Sequence, residues 1–277
     1  MNKIIVPIDF SEHSEFALKA AAKLAKQHNA ELLALHMLEM SDVLLTTDDN
    51  EHNQKIIFFM KLAEKRFTEF LAKDYLQGIK VVPIVKHFKV FSEVNDVAEQ
   101  HDADIIVMGS HGASGLREFF VGSNTERVVR NSEIPVLVIK NEVPNMTFET
   151  VVFATDFDEE DIRPYLNASK MFEGTNTNMI LLYVNLPNEN FRSSQEVEQR
   201  IADFLQKADG NLDKINSVAY WADYSVEKGV LNFSNKAGAD LIAISTHGRK
   251  GIAHFFAGSI GEDIANHSTL PVITFKI

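Results

Sequence analysis

The residues whose types and spacing suit chemistry begin with a glycine-punctuated run, Gly109-Ser-His-Gly112-Ala-Ser-Gly115-Leu-Arg117-Glu-Phe-Phe-Val-Gly122-Ser123. Glycine lets backbone approach a ligand closely and adopts positive φ without strain. Gly122-Ser123 falls where a helical pattern opens, and the unpaired N–H groups and dipole of a helix start stabilise an anion. A serine hydroxyl there adds one more donor, so the run reads as a cradle for phosphates. Asp9 closes the first apolar run and is suited to accept from a ribose hydroxyl or a base amino group. Its charge would repel phosphates, which assigns it to the nucleoside end. Two familiar phosphate loops do not fit. There is no Gly-x-x-x-x-Gly-Lys-Ser/Thr run, and a dinucleotide fingerprint would follow the first strand rather than the fourth. A purely structural reading stands beside the cradle. Ser123-x-x-Glu126, Ser259-x-x-Glu262, Asp9-x-x-Glu12 and Asp156-x-x-Glu159 all match helix capping boxes, although capping does not account for the spread of glycines. His111 and His247 have no second ligand at metal spacing and read as loop packing. Arg117, Arg249, Lys250 and His254 read equally well as phosphate contacts or as ordinary surface charge, and Trp221 and the phenylalanines read as core.

These residues must be carried by repeated elements. Ile105-Ile-Val-Met-Gly-Ser-His-Gly112 returns as Leu241-Ile-Ala-Ile-Ser-Thr-His-Gly248, 136 residues on. Gly122-Ser123 returns as Gly258-Ser259 at the same offset, and Asn131–Val136 as His267–Val272. The opening Ile4-Ile-Val-Pro-Ile-Asp-Phe10 returns as Val151-Val-Phe-Ala-Thr-Asp-Phe157, 147 residues on. The chain is therefore two copies of one domain, read as residues 1–140 and 149–277 with a linker at 141–148. Short β-branched runs alternating with helical patterns predict a parallel sheet covered by helices. Strands are predicted near 3–8, 31–38, 80–86, 104–109 and 134–139, with helices near 12–28, 52–76, 90–101 and 123–132. The second copy predicts strands near 150–155, 178–185, 216–222, 240–245 and 271–276, with helices near 159–172, 194–213, 226–237 and 259–267. Residues Phe16, Ala17, Ala20, Ala21 and Leu24 form the apolar stripe of the first helix. The polar stretch from Ser41 to Asn50 reads as an insertion, with a loop covering a crevice as the alternative.

Composition excludes several classes. The 277 residues carry 27 basic and 39 acidic side chains, a net charge of −12. The first copy, to residue 140, has 16 basic against 20 acidic residues, and the remainder 11 against 19. That field disfavours nucleic acid and anionic membranes as partners. The absence of cysteine removes thiol chemistry and fits a reducing compartment. Charge appears too early in the chain for a signal-peptide core, and no apolar run approaches the roughly 18 residues of a span. The expectation is a soluble cytoplasmic protein.

The motif Gly109-x2-Gly112-x9-Gly122-Ser123, with Val6-Pro-Ile-Asp-Phe-Ser11, Leu35-His-Met37 and Ile134-Pro-Val-Leu-Val138, resembles the universal stress protein family. The resemblance covers almost the whole chain as a tandem pair. It implies two Rossmann-like domains of the adenine nucleotide alpha hydrolase type, each a five-stranded parallel sheet of order 3-2-1-4-5. It implies that the copies pair through their last strands, with a further homodimer open. It implies ATP, with or without Mg, as cofactor, acting in a stress-response regulator with little or no turnover. By position, Asp9 and the backbone at Met37 face the nucleoside, while Gly109, Gly112, Gly122 and Ser123 hold ribose and phosphates. The second-copy counterparts are Asp156, Val184, Gly248, Gly258 and Ser259. Ser245 replaces the first motif glycine there, Ala154-Thr155 replaces Pro7-Ile8, and Pro164 sits early in the first helix. Neither copy has the Gly-x-Pro-like turn of many members after strand three, reading Lys86-His-Phe-Lys-Val90 and Ala222-Asp-Tyr-Ser225 instead. A pure interaction module on the same fold is the alternative. An adenylating enzyme fits least, because Asp9-Phe-Ser-Glu12 supplies no pyrophosphate grip.

Overall fold

The computed structural model describes residues 1–38, 49–87, 93–110, 123–187, 191–246, 264 and 268–277. In the first copy β1 (Lys3–Pro7) leads to α1 (Glu12–His28), β2 (Glu31–Leu38), α2 (Asp49–Leu71), β3 (Val81–His87) and α3 (Val94–Gln100). Then come β4 (Ile105–Gly109), α4 (Ser123–Asn131) and β5 (Val136–Ile139). The second copy runs β6 (Thr150–Ala154), α5 (Ile162–Phe172), β7 (Asn178–Asn185), α6 (Ser194–Ala208) and β8 (Val218–Ala222). It continues through α7 (Val226–Ala237), β9 (Leu241–Thr246) and β10 (Val272–Lys276). Central strands such as Ile4-Ile5-Val6 and Ile105-Ile106-Val107 are buried on both faces, which is why they read as unbroken apolar runs rather than alternating ones.

Among the described residues ten strands join one sheet of order β3-β2-β1-β4-β5-β10-β9-β6-β7-β8. Each copy is parallel within itself in the order 3-2-1-4-5, while β5 and β10 meet antiparallel. The register is self-complementary. Leu137 lies opposite Ile273, its own counterpart 136 residues on, and Val136 and Val138 lie opposite Thr274 and Val272. A pseudo-twofold axis therefore passes through the Leu137–Ile273 pair, as at an isologous subunit interface. The two copies hide their fifth-strand edges against each other.

One sheet face carries a single core running through both copies, built from α1, α2, α5 and α6 over Val6, Leu137, Phe153 and Ile273. The other face is split into a cluster under α3 and α4 and another under α7. The connection between copies is bound to α1: Lys19 pairs with Glu142 at 3.0 Å, Lys23 donates to the Pro144 carbonyl at 2.8 Å, and Met146 is buried.

Several helix boundaries differ from the sequence pattern. The second helix stops at Leu71 rather than 76, because a 3-10 turn at Asp74–Leu76 instead turns Leu76 into the core. The helix expected to reach 213 stops at Ala208, where Gly210 adopts φ 73°. The helix expected from 159 begins as a 3-10 turn at Glu159–Asp161 and becomes α-helical at Ile162. That start leaves Pro164 in the first turn, where its missing N–H costs no intrahelical bond. The 41–48 part of the polar stretch and nearly all of the 259–267 helix lie outside the described residues.

Candidate functional site

The carboxyl end of β1 is built from a tight Asx turn. Asp9 Oδ1 accepts from Ser11 N at 3.0 Å and from Ser11 Oγ at 2.6 Å. Phe10 between them adopts φ 66°, a left-handed conformation that costs a bulky residue about 1–3 kcal/mol. Packing holds it there: the Phe10 ring lies 4.5 Å from His36 and edge-on to Phe67 and Phe70, with the Arg66 guanidinium over its face at 4.9 Å. His36 Nδ1 in turn lies 2.8 Å from the Ile8 carbonyl, tying β2 to the same corner. Ser11, not Asp9, is the helix cap, its hydroxyl accepting from Ser14 N at 3.2 Å. The capping-box reading of Asp9-x-x-Glu12 is corrected by that contact, since the Asp9 carboxylate shapes the turn one step earlier.

Gly109 ends β4 directly against the first turn of α1. A Cβ there would lie 2.7 Å from the backbone carbon and oxygen of His13. Glycine at 109 is thus required by helix–strand contact whatever else it touches. The buried Thr125 hydroxyl donates to the Gly109 carbonyl at 2.8 Å, which anchors α4 to the end of β4. Because α4 begins at Ser123, this one bond sets the helix start beside the β1 and β4 ends. Met37 is buried near the end of β2, on the face carrying α3 and α4, with its backbone in register with Lys86 of β3.

In the second copy Asp156 Oδ1 accepts from Asp158 N at 3.0 Å, and Phe157 takes φ 60°. Phe157 packs edge-on to Phe204, 5.2 Å away, and beside Tyr183. The turn is the same, but its charges are not. Ser11 is replaced by Asp158 and Ser14 by Asp161, whose buried carboxylate accepts from Thr155 Oγ1 at 2.6 Å. Arg200 of α6 donates to the Asp156 carbonyl at 2.5 Å, lies 3.8 Å from Asp156 Oδ2, and forms a close ion pair with Asp158. Burial pushes the Asp156 carboxyl up to about 7, helped by its hydrogen bond with Asp158 and by the charges of Asp161 and Asp158. Val184 packs on Gly229 of α7, where a Cβ would sit 2.5 Å from Val184 Cγ1. Asp223 closes the adjoining turn, accepting from Asn232 at 2.9 Å and from Tyr224 N at 2.7 Å.

The model of the universal stress protein family matches this chain twice, over residues 1–140 and 147–276. The chain belongs to that family. The universal stress protein MJ0577 of Methanocaldococcus jannaschii is 32% identical over 155 residues, covering 50% of this chain and 95% of that protein. The universal stress protein YxiE of Bacillus subtilis is 29% identical over 155 residues, again covering 50% of this chain. Such relatives correspond in length to one copy. The crystal structure of a universal stress protein from Archaeoglobus fulgidus superimposes over 99% of this chain and 96% of its own, with TM-score 0.72 and 22% identity. That likeness is one of fold.

Of the universal stress protein motif positions, Asp9, Met37, Gly109 and Ser123 converge at the carboxyl edge of the first half-sheet, and Asp156 and Val184 occupy that edge in the second. Gly112, Gly122, Gly248, Gly258 and Ser259 lie outside the described residues, as do His111, Arg117, His247, Arg249, Lys250 and His254. Ser245 is buried in β9, in register with Phe275. Among the described residues no cluster of three metal-ligating side chains occurs, and no helix is long and apolar enough to cross a membrane. The sequence reading missed Thr125 and Arg200. The burial spacing of α2 (63, 67, 70, 71) matches that of α6 (197, 201, 204, 205), which places Arg66 and Arg200 at equivalent positions. Comparing those two helices by periodicity would have found both arginines.

Proposed function

We propose that this universal stress protein is a nucleotide-responsive regulator that binds ATP, with or without Mg, in its first crevice and turns it over slowly or not at all. The observation that carries the reading is the joining of three motif positions at one edge. Asp9 is fixed by the turn before α1, Gly109 lies against that same helix, and Thr125 ties the α4 start to Gly109. In this reading Asp9 and the Met37 backbone hold the nucleoside, and Gly109, Gly112, Gly122 and Ser123 hold the ribose and phosphates. A helix start with free N–H groups suits the triphosphate. No general base is proposed, so occupancy rather than chemistry is the signal. The second copy serves as scaffold, its crevice held by Arg200 with Asp156 and Asp158 in place of a ligand. The domains divide at the 141–148 linker, the working compartment is the cytoplasm, and neither nucleic acid nor membrane is a partner.

An ATP titration of the wild type and of Gly122→Val tests this, because a branched side chain at the motif's third glycine takes the room of a phosphate. Binding by the wild type and at least a hundredfold weakening in the folded variant is the predicted result. Equal affinity in both sinks the assignment. A second reading, the interaction module, is favoured by one observation: the second crevice is already satisfied by its own side chains. Failure of the wild type to bind any nucleotide would move the function there.

A further inference from the structure

Asn95 is a polar side chain that the packing leaves unsatisfied. It stands in the first turn of α3, 5% exposed, and among the described residues neither its Nδ2 nor its Oδ1 has a hydrogen-bond partner. Buried amides in folded proteins nearly always find partners, and each exception asks for an explanation, a bound group among them. Its place in the fold narrows that occupant. Val94, the preceding residue, packs in one cluster with Met37 at the end of β2, Met108 at the end of β4 and Val128 of α4. Asn95 lies about 100° round the helix from Val94, on the flank of the buried Val94, Val97 and Ala98 stripe. The amide therefore sits at the carboxyl edge of the first half-sheet, beside the elements that carry Met37, Gly109 and Ser123.

The second copy supplies an independent comparison. Val94 corresponds to Val230 and Ala98 to Ser234, so the counterpart of Asn95 is Leu231, an apolar residue packed on its own core cluster. The copy with all the motif glycines has the amide, and the copy with Ser245 has a leucine of similar size.

We infer that Asn95 is a specificity-determining residue of the first crevice, its amide hydrogen-bonding the edge of an adenine base. This rests on the nucleotide reading above. An amide offers an acceptor beside a donor, which matches the N6 amino group and N7 of adenine, whereas O6 and N7 on the same edge of guanine are both acceptors. Asp9 and the Met37 backbone then fix the nucleoside, and Asn95 chooses the base.

The test is equilibrium titration of the full chain, Asn95→Leu and Asn95→Asp with ATP and with GTP, with a thermal melt of each. The wild type should prefer ATP. Asn95→Leu, which copies the second domain, should lose about tenfold in ATP affinity and most of the preference, while melting no lower than the wild type. Asn95→Asp, with no amide donor, should also weaken ATP. If Asn95→Leu melts higher and keeps wild-type affinity and preference, the amide is only an unpaired core group and the inference is wrong. A wild type that binds neither nucleotide overturns the underlying reading instead, before any variant is compared.

Discussion

The turns that follow the two first strands share a backbone conformation and differ in the charge beside them. Both first strands end in an Asp-Phe pair with the phenylalanine left-handed, at φ 66° and 60°, and both rings sink into an aromatic cluster under the following helices. The turn is therefore a device of the fold, present in both copies. What separates the copies is the next four residues. Ser11-Glu12-His13-Ser14 carries one carboxylate, while Asp158-Glu159-Glu160-Asp161 carries four. The equivalent arginines respond accordingly. Arg66 lies over the Phe10 ring, whereas Arg200 is drawn down onto Asp156 and Asp158. The segment after the turn carries one carboxylate in one copy and four in the other, where Arg200 pairs with Asp156 and Asp158.

The largest expected effect breaks the comparison at the strand-four end. Gly109→Ala should destabilise the fold by about 2–3 kcal/mol, because its Cβ meets His13 backbone that cannot swing aside. Ser245→Gly should cost under about 1 kcal/mol, since the later α-helical start of α5 already leaves room for a side chain. Paired urea titrations check the difference, and equal effects would show that the two helices approach their strands alike. Next, Thr125→Val leaves the Gly109 carbonyl without its buried donor and should cost about 1–2 kcal/mol. ATP affinity should fall several-fold as the α4 start loosens, and calorimetric titration reads that loss.

The smallest effect is a pH dependence confined to the second copy. The Asp156 carboxyl is raised to about 7 in the folded chain, so the native state holds its proton above the usual carboxylate range. Stability from this group is therefore fullest below about pH 4 and is lost as pH rises toward 7. Asp156→Asn removes that loss. It should be more stable than the wild type at pH 8, by about 1 kcal/mol, with the gain fading toward pH 4. Thermal melts at both pH values decide it, and a gain independent of pH would contradict the raised carboxyl.

The duplication and most element positions were legible in the sequence because both-face burial produces apolar runs and the repeat offsets fix their alignment, while the strand order came from the family resemblance. Helix ends were less legible. Gly210 as a stop and the 3-10 entry to α5 depend on single-residue backbone geometry that apolar periodicity does not encode. For the site, the glycine pattern singled out Gly109 but not the reason glycine is required there, since the His13 contact joins residues 96 positions apart. Arg200 was missed for the same reason: its partners Asp156 and Asp158 lie on another element. Asn95 looked like an ordinary helix residue until its burial placed an amide where its counterpart is a leucine.

The central claim is that one crevice binds nucleotide and the other does not. Denaturing the purified protein, identifying released nucleotide by mass spectrometry and counting it per chain tests that directly. The account predicts one ATP per chain after saturation with added ATP, lost in Gly122→Val and retained in Gly258→Val. Two per chain, or one that survives Gly122→Val and disappears in Gly258→Val, would contradict it.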